Sequence, residues 1–408
     1  MFTNITVNNF KGINRLSFSP KEKDSFIYGE NGSGKSALVD SLYFILKSMR
    51  TLYDERRVYS LPSRLQGLYP ELSSDDLEYR VRSENEILSE MLRRAHRLDS
   101  PDGPSFKISF EINGNKGEYS ASFSLSEIIK ESLSFEREGK LMRLFDIEKE
   151  NVFISSAAFT DAQYKDELLH KLENFLGTHS LMAILYSDLM SSSSSYYRRR
   201  VNNDIASIID FFASVSLYSE HNKIEPMSFR RSSIAFGFSD NLSEKERKEI
   251  EKMLEFYRPY ILPDYSKIYY RTFIANGREL YELVLEKNGV VIPYAMESKG
   301  IKKLIELFPY FISAILGRTA IIDDIDAALS SRILLPLLLG LEKEGEGEVI
   351  ATFSSDALFK NFDKNSVFNI NSLEDESVIE LYNEKDKKAV KSINENRKLL
   401  LEIKDLIK

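Results

Sequence analysis

The sequence predicts an α/β fold in which a mainly parallel sheet is interrupted by a long, largely helical insertion. Three observations support this prediction. A short apolar strand at residues 25–28 runs into a glycine-rich loop and then into a segment with helical patterning. After residue 265, strand-like and helix-like segments alternate, which is typical of a parallel sheet covered by helices on both faces. Between these two parts, residues 51–265 are rich in charge and mostly helical in pattern.

The first 50 residues contain two short strands and the strand–loop–helix unit. Apolar and polar residues alternate before and after the Lys11-Gly12 turn, which indicates strands. From residue 37 the apolar residues recur at helical spacing, at Leu38, Leu42, Ile45 and Leu46.

The insertion is interrupted by a predicted strand pair at residues 106–112 and 118–123, joined around Asn113-Gly114. A further apolar strand is expected at residues 152–156. The serine run at residues 191–195 is the best candidate for a linker.

The remaining sequence returns to alternating strands and helices. Strands are predicted at 268–274, 281–285, 290–292, 319–322 and 349–352, and helices at 298–316 and 333–341. Lysine-rich residues 385–408 have apolar positions at roughly helical spacing, which predicts an amphipathic terminal helix. The predicted organisation is therefore 1–50 and 266–384 as two halves of one core, 51–265 as the insertion and 385–408 as the terminal helix.

Composition excludes several classes of site. The 408 residues contain no cysteine and four histidines, which argues against disulfides, thiolate metal sites and an imidazole cage for a catalytic metal. The formal net charge of −8 gives no overall attraction to nucleic acid or an anionic membrane. The start lacks the features of an export signal, and no apolar stretch is long enough to span a bilayer. We expect a cytoplasmic protein without a membrane partner.

Residues 29–36 match the pattern GxxxxGK[ST] between a strand and a helix, where a phosphate-binding loop must lie. The glycines let backbone N–H groups turn toward one anion, and the following helix presents its positive end. Lys35 offers a charge to the outer phosphates, and the Ser36 hydroxyl is a ligand for Mg²⁺. The residues expected to bind nucleotide here are Gly29, Asn31, Gly32, Ser33, Gly34, Lys35, Ser36 and Ala37.

Magnesium bound to a nucleotide needs a further hard oxygen ligand at the end of a neighbouring strand. Asp323 follows the apolar strand at 319–322 and supplies it, so Ser36 and Asp323 are the predicted metal ligands. Asp324 stands where a base could orient the attacking water. The alternative is that Asp323, Asp324 and Asp326 only form a solvated turn and helix cap.

Here the sequence resembles a known family. Residues 8–13, residues 28–42 with the phosphate loop, and residues 321–329 are similar to the two halves of ABC-type ATPases of the SMC, RecF and OLD type. The resemblance covers about residues 1–50 and 265–370 and implies one nucleotide-binding domain split by an insertion. It extends to the AAA-annotated ATPases of bacterial antiphage systems such as Septu, PARIS and retron-associated ATPases.

The resemblance also implies roles outside the phosphate loop. Ser298 and Gly300, before a helix, resemble a degenerate signature motif that contacts the nucleotide of the opposite protomer; the alternative for Ser298 is an ordinary helix cap. Residues 351–356 stand at the place of the switch segment. Phe353 replaces the usual histidine and Asp324 the usual glutamate, so the resemblance implies slow or absent hydrolysis.

The leading functional hypothesis is an ATP- and Mg²⁺-binding homo-oligomer, at least a dimer, that regulates a separate effector protein, with antiphage defence implied by the resemblance. The first alternative is a RecF- or SMC-like ATP-dependent DNA clamp, and the second is a small-molecule kinase. The candidate contacts for nucleic acid are Arg56-Arg57, Arg230-Arg231 and residues 196–200. Solvated surface charge is the competing explanation of these basic residues.

Overall fold

The computed structural model describes residues 1–21, 23–29, 32–56, 88–149, 151–175, 177–191, 193–226, 243–275, 278–355, 358, 366–370 and 377–381. The chain divides into two compact units. The first comprises Met1–Glu22, Gly29–Ser214 and Asn369–Glu380, and the second comprises Lys23–Tyr28, Val215–Phe368 and Leu381–Lys408. The organisation predicted from the sequence, with boundaries after residues 50, 265 and 384, stays a prediction.

The sheet of the first unit consists of strands from its two ends and from the insertion. They are β1 (Phe2–Phe10), β2 (Ile13–Phe18), β4 (Ser105–Ile112), β5 (Asn115–Phe123), β6 (Ile128–Arg137), β7 (Lys140–Glu148), β8 (Asn151–Ile154) and β17 (Ser377–Leu381). Their spatial order is β17-β2-β1-β4-β5-β6-β7-β8. Strand β17 pairs with β2 in parallel, whereas the pairs β1/β2, β1/β4, β4/β5, β5/β6, β6/β7 and β7/β8 are antiparallel.

The prediction of a mainly parallel sheet is wrong for this unit. Strands β4 and β5 lie close to the predicted strand pair, and Asn113 and Gly114 join them with φ angles of 52° and 80°. Such a two-residue turn with positive φ reverses the chain and produces an antiparallel hairpin. The pair then continues through β6, β7 and β8, so the described insertion contains a five-stranded antiparallel meander as well as helices.

Helix α1 (Lys35–Ser48) packs against this sheet through the predicted apolar face, and Leu38, Leu42, Ile45 and Leu46 are all buried. Phe44 of α1 stacks on Phe106 of β4 with a centroid distance of 5.3 Å. Its edge contacts with Phe10 and Phe123 complete an aromatic cluster. The helix that follows the phosphate loop is therefore fixed by the core of the first unit.

The other helices of the first unit come from the insertion. They include α2 (Leu88–Ala95), α3 (Ala162–Phe175), α4 (Leu181–Met190), α5 (Ser194–Arg198) and α6 (Asn203–Ser214), with a 3₁₀ turn at Ser156–Ala158, and residues 51–56 are also helical. The N-terminus of α4 is capped by Ser180, and the buried Glu131 of β6 accepts hydrogen bonds from the N–H groups of Leu181 and Met182.

The main sheet of the second unit contains the parallel strands that the sequence predicts. Its strands are β3 (Asp24–Tyr28), β9 (Ser216–Tyr218), β10 (Lys223–Ile224), β14 (Thr319–Ile322), β15 (Glu348–Phe353) and β16 (Val367–Asn369). Their order is β10-β9-β14-β15-β3-β16. The pairs β9/β14, β14/β15 and β15/β3 are parallel, and β10/β9 is antiparallel.

The second unit also contains a small antiparallel sheet of β11 (Lys267–Ala275), β12 (Arg278–Lys287) and β13 (Val290–Pro293). Its helices are α7 (Glu244–Ile261), α8 (Lys299–Ile315) and α9 (Ser331–Glu344), with a 3₁₀ turn at Tyr294–Met296. Helix α8 contributes residues to two apolar clusters, one with the main sheet and one with the small sheet. Its position beside the main sheet is therefore fixed from both sides.

The predicted terminal helix at 385–408 lies outside the described residues. Within the described ranges, none of the helices combines the length and the apolar character that a bilayer crossing requires.

Candidate functional site

The phosphate loop begins directly after β3 and ends in α1, as the sequence predicts. Gly32 and Gly34 have φ angles of 85° and 102°, in the left-handed region that favours glycine. Gly34 is the N-cap of α1, so no side chain at the cap accepts a hydrogen bond from the first N–H groups of the helix. The first turn also has no acidic residue. The N–H groups at this helix end are therefore suited to an anion. Asn31 lies outside the described residues.

Two further observations fit a phosphate group. Ser33 Oγ is buried and has no hydrogen-bond partner within the described part of the chain. A Cβ at Gly29 would lie 2.5 Å from Ser33 Oγ and 2.7 Å from the Ile370 carbonyl oxygen, so only glycine fits there. A buried hydroxyl without a partner is costly, and a phosphate oxygen would accept its hydrogen bond.

Lys35 is buried, and its Nζ donates a hydrogen bond to the Gly29 carbonyl oxygen at 2.6 Å. This contact holds the ammonium group within the loop. Ser36 is exposed, and Ala37 is half-buried in the first turn of α1. The loop thus presents the ammonium and hydroxyl groups that the sequence assigns to phosphate and metal binding.

The acidic residues of the second unit follow β14. Asp323 is 9% exposed, and its N–H donates to the Tyr218 carbonyl oxygen at 2.8 Å. Asp324 is half-buried and has a φ angle of 42°. This left-handed conformation is uncommon for a residue with a side chain, although aspartate and asparagine accept it more readily than most. The backbone after β14 thus turns sharply just beyond the predicted metal ligand.

One hydroxyl group joins both aspartates to the end of β15. Thr352 Oγ1 donates to Asp323 Oδ1 at 2.6 Å and accepts the hydrogen bond of the Asp324 N–H at 2.8 Å. Thr352 is fully buried; its bond to Asp323 is buried, and the bond from the Asp324 N–H is partly buried. The orientation of the Asp323 carboxylate and the unusual backbone of Asp324 therefore depend on the same side chain.

Asp326 has a structural role. Its Oδ2 accepts hydrogen bonds from the N–H groups of Ser354 and Ser355 at 3.1 and 2.8 Å. The Ile325 N–H donates to the Thr352 carbonyl oxygen at 3.0 Å. The turn after β14 is thereby tied to the segment after β15, which corresponds to the predicted switch.

Phe353, which stands at the expected histidine position, is a core residue. It is fully buried, and its ring centroid lies 5.5 Å from that of Tyr28. The side chain fills the apolar cluster around the main sheet and has no polar group with which to orient a water molecule.

The two signature-like residues both have structural roles in this chain. Ser298 is the N-cap of α8, and its Oγ accepts the hydrogen bond of the Ile301 N–H at 3.3 Å. A Cβ at Gly300 would lie 2.8 Å from the Ala328 carbonyl oxygen. Gly300 therefore allows the first turn of α8 to approach the turn after β14. The Ser298 side chain is exposed. Its predicted contact with the nucleotide of a second protomer stays a prediction.

The basic residues proposed for nucleic-acid contact are mostly engaged within the first unit. Arg198 binds Asp210 in a bidentate pair, and Arg200 is paired with Asp161 and Glu167. Arg56 donates hydrogen bonds to Ser187 and Asp188. Arg57, Arg230 and Arg231 lie outside the described residues.

A polar cluster beside Asp323 was missed by the sequence analysis. Tyr218 and Tyr294 donate to the two carboxylate oxygens of Glu306 at 2.6 and 3.0 Å, and Lys223 Nζ lies 3.5 Å from Glu306. Burial acts to raise the pKa of Glu306, but these hydrogen bonds and the lysine charge hold it below its ordinary value. Lys303 Nζ lies 4.3 Å from the Tyr218 ring centroid. In the sequence, the i, i+3 spacing of Lys303 and Glu306 on the predicted helix was the one feature that could have indicated this cluster, because residues three apart on a helix are neighbours.

Comparisons with known proteins give a partial match. A family model described as "Protein of unknown function (DUF2813)" matches residues 1–58, which include the phosphate loop. No curated protein matches the chain.

Three solved SMC head domains are similar in structure. The Smc head bound to the C-winged helix domain of ScpA is 14% identical, with 90% of this chain and 94% of that chain covered and a TM-score of 0.43. The SMC head domain from Thermotoga maritima is 12% identical, with the same coverage and a TM-score of 0.36. A Pyrococcus furiosus Smc head with an extended coiled coil, bound to the C-terminal domain of ScpA, is 14% identical, with 99% of both chains covered and a TM-score of 0.42.

Proposed function

We propose that this chain binds ATP with Mg²⁺, with the phosphate loop and Asp323 holding one nucleotide. The supporting observation is the parallel order β14-β15-β3 in the second unit. Asp323 follows β14 and Gly29 follows β3 along the chain. Carboxyl ends of neighbouring parallel strands lie at the same edge of a sheet, where ligands bind in open α/β sheets.

Each residue has a distinct task in this proposal. The N–H groups at the start of α1, the Ser33 hydroxyl and the Lys35 ammonium bind the phosphates. Ser36 and Asp323 would hold Mg²⁺, which would offset the negative charge of the phosphates.

Asp324 is proposed as the base that orients the attacking water. The Thr352 hydroxyl, through the Asp324 N–H, fixes the backbone from which this carboxylate extends. We expect slow turnover because aspartate is one methylene shorter than glutamate, and Phe353 contributes no polar group. An error of about 1 Å in the position of a catalytic group can reduce the rate roughly a hundredfold.

We further propose that two copies associate around the bound nucleotide through the Ser298–Gly300 segment. This association would regulate a separate effector protein. The proposed biological context is antiphage defence. The exposed Ser298 hydroxyl at the start of α8 supports such a contact, because a helix N-terminus favours an anion. A DNA clamp is not favoured, because Arg198 and Arg200 are paired with carboxylates of their own unit.

The site is tested by ATP binding and turnover in three variants, measured by calorimetry and phosphate release. Lys35→Ala is expected to reduce ATP affinity at least tenfold, because a charged hydrogen bond contributes about 1.5–3 kcal/mol. Asp324→Asn is expected to bind ATP normally and to hydrolyse it more slowly. Lys252→Ala removes an exposed lysine of α7 and serves as the control. Unchanged affinity in Lys35→Ala would contradict the nucleotide site.

Assembly is tested separately by light scattering. The mass of the wild-type protein with ATP and Mg²⁺ is expected to double relative to the nucleotide-free protein, and Lys35→Ala is expected to remain unchanged. Copurification with the product of the neighbouring gene, with and without ATP, tests the effector. A mass that does not respond to ATP would contradict nucleotide-dependent association while leaving the binding site intact.

A further inference from the structure

Glu306, in the middle of α8, holds two tyrosine side chains with one carboxylate group. Tyr218 donates to its Oε2 at 2.6 Å, and Tyr294 donates to its Oε1 at 3.0 Å. Both tyrosines are buried. A buried hydroxyl group is costly to leave without a partner, so these two bonds hold the rings in place.

Tyr218 connects Glu306 to Asp323. It is the last residue of β9, a strand of three residues, and it lies opposite Ile322 of β14. Its carbonyl oxygen accepts the hydrogen bond of the Asp323 N–H at 2.8 Å. The neighbour of β9 on its other side is β10, which has two residues. A strand end with so few backbone hydrogen bonds is open to local fluctuation, and the bond from Tyr218 to Glu306 restricts it.

Tyr294 connects Glu306 to the start of α8. It begins the 3₁₀ turn Tyr294–Met296, and its carbonyl oxygen accepts the hydrogen bond of the Glu297 N–H at 3.0 Å. Ser298 follows as the N-cap of α8. One carboxylate group therefore holds both the strand end beside Asp323 and the turn that leads into Ser298.

The packing of α8 does not require a carboxylate at position 306. The apolar residues around it on the helix are buried and belong to the two clusters that fix α8; they are Leu304, Ile305, Leu307 and Phe308. A half-buried charge costs free energy unless it is paired and hydrogen-bonded. Lys223 at 3.5 Å and the two hydroxyl groups offset that cost. The function of the carboxylate thus lies in the groups that it holds.

We propose that Glu306 is a positioning residue, which fixes the backbone of Asp323 through Tyr218 and the turn before Ser298 through Tyr294. The inference rests on the proposed function for what Asp323 and Ser298 bind. The positioning itself exists without a ligand, so it is tested separately from nucleotide binding.

The first test is residue-resolved hydrogen exchange in the ligand-free protein. Tyr218→Phe keeps the ring, on which Lys223 and Lys303 lie 4.8 and 4.3 Å from the centroid, and removes only the hydroxyl group. The Asp323 N–H should then exchange about three- to tenfold faster, because the strand end is less restrained. Tyr294→Phe should accelerate exchange of the Glu297 N–H in the same way.

Three further variants define the role of the carboxylate. Glu306→Ala should accelerate exchange of both N–H groups. Glu306→Gln should preserve most of the protection, because an amide accepts from one tyrosine hydroxyl group and donates to the other. Tyr281→Phe, the control, removes a tyrosine–glutamate hydrogen bond of the small sheet and should affect neither N–H group. Unchanged exchange of the Asp323 N–H in Tyr218→Phe and Glu306→Ala would overturn the inference.

The second test is the gain in ATP affinity that Mg²⁺ provides, measured by calorimetry with Mg²⁺ and with EDTA. Tyr218→Phe should reduce this gain about tenfold, the usual effect of removing a group that orients a metal ligand. Its affinity in EDTA should equal that of the wild type, and Tyr281→Phe should behave as the wild type in both conditions. An undiminished gain in Tyr218→Phe would overturn the inference. Wild-type protein that fails to bind ATP, with exchange rates as expected, would contradict only the proposed function.

Discussion

The Thr352 hydroxyl group connects the two aspartates on which the proposed chemistry depends. It donates to the Asp323 carboxylate in a buried contact and accepts from the Asp324 N–H in a partly buried one. The sequence identified Asp323 and Asp324 from their position after an apolar strand. Their link to Thr352 could not be predicted, because it requires the register between β14 and β15, in which Ile322 lies opposite Ala351.

The Ser33 hydroxyl gives a prediction in which stability and binding change in opposite directions. In the ligand-free chain this buried hydroxyl has no partner among the described residues, so its removal should not destabilise the fold. We expect Ser33→Ala to leave the free energy of unfolding unchanged or to raise it by up to about 1 kcal/mol. ATP affinity should fall about three- to tenfold, because a hydrogen bond to a charged phosphate is lost.

Denaturant unfolding without nucleotide and calorimetric ATP titration measure the two quantities. Ser36→Ala is the contrasting variant, because the exposed Ser36 hydroxyl is assigned to the metal, and its effect on ATP affinity should require Mg²⁺. A Ser33→Ala protein that is less stable and binds ATP normally would contradict a phosphate contact for Ser33.

At the scale of elements, the sequence predicted well where apolar periodicity is strong. Strand β14 has the predicted bounds, and α8 begins after the predicted cap Ser298. The meander β6-β7-β8 was largely missed, because β6 places Lys130, Glu131, Glu136 and Arg137 in one strand and resembles the charged segments around it. Burial of Glu131 cannot be read from residue type, since carboxylates are almost never fully buried unless paired.

Glu131 gives a prediction for the contact between β6 and α4. Burial raises the pKa of its carboxyl group from 4.5 to about 7, although hydrogen bonds from Met182, Leu181 and Tyr119 act in the opposite direction. A pKa that is higher in the folded state favours folding while the carboxyl group is protonated. This contribution is complete below pH 4.5 and is lost as pH rises toward about 7.

The measurement is the free energy of unfolding between pH 4 and pH 8, compared for the wild type and Glu131→Gln. The difference between them should change in that range, with the wild type losing stability relative to the variant as pH rises. Glu118→Gln, on the neighbouring strand β5 and partly exposed, is the control. Parallel pH profiles for wild type and Glu131→Gln would show that the carboxyl group does not titrate in this range.

At the scale of the whole molecule, the chain places the phosphate loop and the acidic turn in different compact units. Strand β3 belongs to the second unit. Gly29, which directly follows Tyr28 at the end of β3, begins a segment of the first unit. A phosphate loop needs an acidic partner at the end of a neighbouring strand. For this reason the sequence predicted that the loop and a distant apolar strand ending in aspartate belong to one core. It could not predict how the insertion strands extend the sheet of the first unit, because strand pairing between remote segments has no local signal.

The central claim is that Ser36 and Asp323 bind the same Mg²⁺ ion. The most direct measurement is a double-mutant cycle of ATP affinity, by calorimetry with Mg²⁺ and with EDTA, for wild type, Ser36→Ala, Asp323→Asn and the double variant. Each single substitution is predicted to remove most of the gain in ATP affinity that Mg²⁺ provides. The double variant should lose little more than either single variant, because the effects of substituting two groups that share a partner are not additive. Fully additive losses, or an Asp323→Asn protein that responds to Mg²⁺ as the wild type does, would contradict a shared metal site.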